Sequence, residues 1–394
     1  MTNEVLQKIA SDEQNISSSN GLEPKLRFKE FDGKWSRNIL GNCCDIIMGQ
    51  SPDSSSYNNN CIGLPLVQGN ADMCERIATP QRYTSQPTKI CEAGSIILSV
   101  RAPVGTVGKT FQKICLGRGV CGITSKNIEF MYQYLLNNEN SWRHIEQGGT
   151  FTAINSDDIK SFPIILPSLP EQKKIADFLS FIDQRIEKQR QLVENLKKYK
   201  RGLLSAIFDR KLRFKDTDFS LWKNVRLSEC CLGFDNKRQP ISSELREKGT
   251  VPYYGANGIQ DYVKDYIFDG EYILLAEDGG HFDEFQTKPI AQYITGKSWV
   301  NNHAHILQAT EKDCTKYIYY ALVHKDIRKY INGSSRAKLN QEDMWQIVIL
   351  LPNLKQQIKI AQFMSSIDKI LSIEEKMLTV LEEKKQGLLQ QMFI

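Results

Sequence analysis

The chain has 394 residues, of which 41% are hydrophobic and 25% charged, ordinary values for a globular protein large enough for two or three domains with their own cores. Its 51 Lys+Arg against 46 Asp+Glu leave a net charge of +5, which tolerates a polyanionic partner without demanding one. No run of about 18 apolar residues exists, which excludes a membrane-spanning helix, and ten cysteines without a secretion signal point to free thiols in a reducing cytoplasm.

Residues 1–23 are polar, lack the apolar centre of a signal peptide and read as a flexible tail. Residues 24–168 read as a first globular body, opening with KLRFKEFDGKW at 25–35 and closing with GGTFTAINSDDIKSFPIILP at 148–167. Within it, short apolar runs bounded by Gly, Pro, Asn and Asp, such as Ser95–Val100, predict strands, and Ile128–Leu136 predicts a helix. Asn155 stands where an N-cap for the following short segment belongs.

Residues 169–209 differ in kind. No proline occurs from Glu171 to Phe208, and Gly202 is the one glycine. Ile175, Phe178, Ile182, Ile186, Val193, Leu196, Leu203 and Ile207 recur in steps built from three and four, the seam of a coiled coil. Roughly 38 residues at about 1.5 Å each make a rod of about 57 Å.

Residues 210–352 read as a second body, opening with KLRFKDTDFSLW at 211–222 and closing with GSSRAKLNQEDMWQIVILLP at 333–352. Tyr272–Ala276 and Ala304–Leu307 predict strands, Lys316–Lys325 a helix, and Asn340 an N-cap. Residues 353–394 form the second long helix, with Ile360, Phe363, Ile367, Leu371, Leu378, Leu381, Leu388 and Met392 in the register of the first seam.

The two halves repeat. Gln172, Ile175, Phe178, Asp183 and Gly202 pair with Gln357, Ile360, Phe363, Asp368 and Gly387, always 185 positions apart (357 − 172). Trp35 matches Trp222, and Leu26-Arg27-Phe28 matches Leu212-Arg213-Phe214. A repeat this long is two copies of a body plus a helix, not a short-period solenoid. Two such helices most economically pack together, and repeat symmetry favours antiparallel pairing about a pseudo-twofold axis. The expected fold class is α+β: two similar mixed α/β domains joined by two long helices in an antiparallel coiled coil. Cys43-Cys44 and Cys230-Cys231 occupy matching places, without CxxC spacing or a nearby histidine, and read as small buried apolar residues.

Together these features resemble the DNA-specificity subunit of type I restriction–modification systems, over nearly all of residues 24–394. The resemblance rests on the helix repeat and on Leu166-Pro167 and Leu351-Pro352 closing the bodies. It rests also on landmarks: GQSPDSSSYN at 49–58, GLPLVQGNADM at 63–73 and ILSVRAPVGTVGK at 97–109, then VPYYGANGI at 251–259, ILLAEDGG at 273–280 and GKSWVNNHAHIL at 296–307. It implies two target-recognition domains, each reading one half of a bipartite site in double-stranded DNA, with the helices as a ruler for the gap. It implies as partners two modification (methyltransferase) subunits using S-adenosylmethionine, and restriction subunits that cleave DNA with ATP and magnesium. The specificity subunit itself is then non-catalytic, binds none of these cofactors and works in the cytoplasm away from any membrane. Because the bodies differ strongly between Asn38 and Gln147 and between Ser228 and Asn332, the two half-sites are expected to differ.

Base edges are read by forked donors and acceptors, phosphates by Lys, Arg, hydroxyls or backbone amides. The first body's loops offer Gln50, Ser51, Tyr57, Gln68, Asn70, Arg101, Lys109, Arg118 and Thr150. The second offers Lys237, Arg238, Tyr254, Asn257, His281, Asn302, His303, Ser335, Arg336 and Lys338. Thr150 and Ser335 belong to small-residue closers where backbone approaches a phosphate easily. Turn chemistry is the competing reading for every one of them, Asn70 and Asn257 above all. Asp278 and Asp283 read as turn residues, and His303 and His305, alternating as on a strand, make a poor metal pair.

An adenine methyltransferase needs a cofactor-binding Gly motif and an Asn/Asp-Pro-Pro-Tyr/Phe tetrapeptide. Val251-Pro252-Tyr253-Tyr254 lacks the amide or carboxylate and the second proline, and no Walker loop stands out. The remaining rival is a non-catalytic coiled-coil adaptor whose two globular heads bind proteins. DNA binding that weakens steeply with salt separates the two.

Overall fold

The computed structural model describes residues 23–146, 153–212, 222–333 and 337–394. The chain divides into two compact units, one running up to Lys188 and completed by Met377–Ile394, the other formed by Gln189–Lys376. The division passes through both long helices, Leu169–Phe208 and Leu354–Met392, so each unit holds one body and a piece of each helix. Among the described residues no helix is long and apolar enough to cross a membrane.

In the first unit, Ser36–Ile39 pairs antiparallel with Pro163–Leu166, which brings the two ends of the body together at the foot of the first long helix. A six-stranded sheet runs in the order Cys44–Met48, Val120–Ser125, Ile96–Ser99, Val107–Lys109, Ile77–Ala78, Met73–Cys74. A five-stranded sheet runs Tyr57–Asn58, Arg82–Thr84, Leu64–Val67, Ile114–Leu116, Ile90–Cys91. Ile96–Ser99 is buried at every position, which is why it reads as a continuous apolar run and not as an alternation. Helix Ile128–Asn137 starts where the Asn127 side chain accepts the Phe130 N–H at 3.4 Å, and it buries Phe130, Tyr134 and Leu135. A further helix, Glu139–Glu146, follows immediately; its polar composition kept it out of the sequence reading. Asn155 caps Ser156–Lys160 through a capping box with Asp158.

The foot of the helix is tied by polar groups. Glu171, 1% exposed, accepts Arg27 through both carboxylate oxygens at 2.7 and 2.8 Å, and Trp35 Nε1 at 3.3 Å. Gln172 donates to the Pro167 carbonyl at 3.0 Å. The end of the second helix completes this core: the Phe393 ring meets Trp35, Phe130 and Tyr134 at centroid distances of 6.4, 5.5 and 5.6 Å. Lys385 pairs with Asp183 at 2.5 Å, and Asp183 also accepts Gln133 Nε2 at 2.7 Å.

The second unit rebuilds the same foot. Lys223–Arg226 pairs with Val348–Leu351, Trp222 Nε1 donates to Gln356 at 3.2 Å, and Gln357 donates to the Pro352 carbonyl at 2.9 Å. Phe208 packs on Tyr317 at 5.8 Å. Lys200 pairs with Asp368 at 2.5 Å, the repeat image of Lys385 with Asp183, while the Tyr320 hydroxyl donates to Asp368. Gln189 donates to its own repeat counterpart, Glu374, at 2.7 Å. In each unit the two helix segments therefore run antiparallel. One six-stranded sheet spans the body in the order Cys231–Gly233, Ala304–Ala309, Phe268–Ala276, Ala291–Val300, Lys248–Gly255, Gly258–Val263, with helix Thr315–Leu322 against it. Asn340 differs from the expectation of a side-chain cap: its main-chain carbonyl accepts the Met344 N–H at 2.9 Å and its side chain makes no cap bond.

Every seam position named from the pattern, from Ile175 to Met392, is buried or half-buried. Leu179, Leu204, Met364 and Leu389 are buried beside them, so the stripe widens beyond a two-position seam where each helix meets its body. Cys44, Cys230 and Cys231 are buried thiols and Cys43 is half-buried; burial pushes Cys44 up to about 12.

Truncating Phe393 to Ala empties the aromatic cluster of the first unit. The expected cost is about 3–5 kcal/mol, read as a lowered urea midpoint; a midpoint equal to that of the parent chain would mean that the helix end is not part of this core.

Candidate nucleic-acid interface

In the first unit, five of the sequence-predicted residues come together around the loop Gly117–Gly119. The Arg118 N–H donates to Ser51 Oγ at 3.2 Å, the Gln50 N–H to the Leu116 carbonyl at 2.9 Å, and Gln68 Nε2 to the Tyr57 hydroxyl at 3.1 Å. The loop lies flat against this group: a Cβ at Gly119 would stand 2.2 Å from the Gln68 carbonyl oxygen. Gln50 and Arg118 stay exposed. Asn70 opens a single 3-10 turn, half-buried, and Arg101 is exposed in a bridge opposite Ala153. Lys109 has internal work instead: it pairs with Glu129 and lies 4.1 Å over the Tyr132 ring, with its side chain 14% exposed. Thr150 lies outside the described residues, as do Ser335 and Arg336.

In the second unit a cleft of about 590 Å³ opens between the hairpin turn at Ala256–Gln260, the loop Asp278–Gly280, His303 and Ala337. Two predicted residues, Asn257 and His303, line it. Asn257 is exposed and donates through Nδ2 to the Gly279 carbonyl at 2.8 Å; His303 Nδ1 meets Asp278 at 2.5 Å. Asn302 is exposed on the approach to His303, and Lys237 is exposed 5.2 Å from the Phe234 ring. Tyr254 is half-buried beneath the turn, its carbonyl taking the Asn301 N–H at 3.0 Å, and burial raises its hydroxyl above the usual range. His281 is a turn residue whose carbonyl accepts the Glu284 N–H at 3.0 Å.

Beneath the cleft lies a knot of charge. Asp235, Glu277 and His305 bring their ligand-type atoms within 4.8 Å of one another. All are engaged by protein: His305 bonds Asp235 at 2.6 Å and the Leu339 carbonyl at 2.9 Å, while Glu277 holds Arg238 and, at 3.1 Å, Lys338. Two fixed cations already balance the two carboxylates, so this donor set fits a closed salt-bridge network and not a metal. Arg238, only 15% exposed in its side chain, is consumed by this network; Lys338, at 47%, keeps part of its reach toward solvent. His305 faces away from His303, each with its own carboxylate, as strand alternation requires.

Sequence reasoning missed Gln260 and Asn301, which line or brace the cleft, and took Asp278 for a turn residue when it also holds His303. The signal was available for Gln260. A two-residue turn at Ala256-Asn257 between paired Gly255 and Gly258 puts the residues just after it at the mouth of the loop.

The geometry defines a recognition scaffold: two loop-rich heads, each with amide and cationic side chains gathered on a rigid sheet. A family profile described as Type I restriction modification DNA specificity domain matches residues 33–197 and again 220–383. The chain belongs to this family and carries its domain twice. It is 38% identical over 197 residues to a putative type I restriction enzyme MjaX specificity subunit of Methanocaldococcus jannaschii, covering 48% of this chain and 46% of the relative. It is 37% identical over 151 residues to a putative type I restriction enzyme specificity subunit of Haemophilus influenzae, covering 38% of each. These matches span less than half the length of either relative. The fold is similar to that of a crystal structure of a type I restriction–modification S subunit from M. genitalium, with a TM-score of 0.63, 19% identity, and coverage of 95% of this chain and 99% of that one.

The buried knot has a pH signature. Burial works to raise Asp235 and Glu277, but the His305 hydrogen bond and charge on the first, and Arg238 with Lys338 on the second, outweigh it and hold both carboxyls below their ordinary values. A carboxyl held lower in the folded state stabilises fully above its unfolded value, near 4, and loses that contribution as pH falls through the folded one. The second unit is expected to lose stability between about pH 5 and pH 2, seen as a falling thermal midpoint, with Asp235→Asn flattening the slope; a slope unchanged in that variant would remove the knot from the account.

Proposed function

We propose that this chain is the DNA-reading subunit of a type I restriction–modification assembly and that each of its heads reads one half of an asymmetric, two-part site. The observation that carries the reading is the double family match, each copy spanning one body and most of the long helix that leaves it. The heads differ in build, with two large sheets in the first and one in the second, so their reading loops differ and so do the half-sites. The helices act as the ruler between half-sites. Apolar side chains left exposed on them in the second unit, Leu192 at 43%, Tyr199 at 55%, Ile370 at 45% and Ile373 at 61%, suit docking by helices of partner subunits. Those partners are two modification subunits carrying S-adenosylmethionine and restriction subunits using ATP and magnesium, all in the cytoplasm; this chain contributes position and no catalysis.

Co-expression with the cognate modification subunit followed by mapping of methylated adenines tests the reading. The expected result is a non-palindromic motif of two parts with a constant gap, and binding that weakens steeply with salt; a palindromic or uninterrupted motif overturns it. The ruler has its own test. Four residues inserted in one long helix add about 6 Å, so the gap is expected to grow by one or two base pairs at about 3.4 Å each while both half-sites keep their sequence; altered half-site identity would contradict the ruler.

A further inference from the structure

The polarity of the cleft in the second unit is fixed by the main chain. The His303 N–H donates to Asn301 Oδ1 at 2.8 Å, and a backbone N–H leaves no doubt which amide atom it meets. Asn301, 3% exposed, must therefore turn its Nδ2 outward, and it donates to Gln260 Oε1 at 3.1 Å. That bond in turn commits the Gln260 carbonyl oxygen and leaves its Nε2 hydrogens as donors on the cleft wall. Asn257 is fixed from the other side. The Gly279 carbonyl accepts only, so Asn257 Nδ2 faces it and Oδ1 remains as an acceptor. His303 is held from the same loop, its Nδ1 meeting Asp278 at 2.5 Å, which turns Nε2 to the opposite edge of the ring. The Gln260 donor and the Asn257 acceptor thus line the same cleft, with His303 beside them, and each is held by a hydrogen bond of its own.

We infer that Gln260, with Asn257 and His303, reads adenine at one position of the half-site that this head recognises, through the major-groove edge of the base. The inference rests on the DNA-reading role proposed above. Guanine offers only acceptors to that groove, cytosine only a donor, and thymine an acceptor beside a methyl group; adenine alone sets a donor beside an acceptor. Gln260 Nε2 meets N7, and Asn257 Oδ1 takes the N6 hydrogen. Gly255 makes the placement possible, because a Cβ there would stand 2.3 Å from Gln260 Nε2.

The test uses the full chain in complex with its co-expressed modification subunit, a randomised duplex pool as the probe, and the sequences of the bound fraction as readout. Gln260→Ala is expected to reduce the preference for adenine at a single position by about ten-fold or more, leaving the rest of that half-site and the whole of the other unchanged. Gln260→Glu replaces the donor with an acceptor and is expected to move the same position toward cytosine. Asn301→Ala releases the Gln260 amide to turn over and is expected to blur that position alone; the exposed Gln260 carries the test even if the buried Asn301 variant fails to fold. A motif unchanged in both Gln260 variants overturns the inference, as does a shifted position that holds another base in the parent, or a uniform loss of affinity. A parent chain that selects no motif at all instead overturns the DNA-reading role itself.

Discussion

Each long helix is welded to its head by a glutamine that turns back on the proline preceding it. Gln172 reaches the Pro167 carbonyl and Gln357 the Pro352 carbonyl, both from buried side chains. A buried amide gives up such a bond only at the full cost of leaving a carbonyl unpaired. The two-stranded ribbon ending at that proline joins the first and last strands of the head, so the helix axis is set by the backbone of the head it leaves. Trp35 on Glu171 and Trp222 on Gln356 pin the same turn from the side. Without this joint nothing in the head would set the direction in which its helix leaves.

The joint is built twice, and its chemistry differs slightly between copies. Glu171 in the first takes Arg27 as well as Trp35, a charge-assisted pair in a half-buried place, where the second uses the neutral Gln356. Gln357 compensates by taking on two more partners, Asp313 and the Cys314 N–H, at 2.7 and 2.8 Å. The two joints meet the same mechanical need with their polar partners arranged differently.

What the sequence made legible follows the physics of periodic burial. The helix seams were readable because residues facing a core for forty positions must repeat, and Asp183 with its image Asp368 was readable as a matched pair of that repeat. Strands buried on both faces, such as Ile96–Ser99, announced themselves by composition. The cleft was only half legible. Asn257 and His303 stood out as loop residues of the right chemistry, yet Gln260 and Asn301 owe their roles to a hydrogen-bond chain that joins separate strands, and no local pattern encodes such a chain. Arg238 and Lys109 looked like surface cations by position; tertiary placement of Glu277 and Glu129 turned them inward.

The aromatic plug at Phe393 orders the events of biosynthesis. The second unit is one uninterrupted stretch of chain, whereas the first waits for residues made some two hundred positions after its own last helix has begun. During translation the later head can finish its core while the earlier one still shows an open socket around Trp35, Phe130 and Tyr134. Until residues through Phe393 are made, the first core presents exposed aromatic surface, the kind that chaperones and proteases act on.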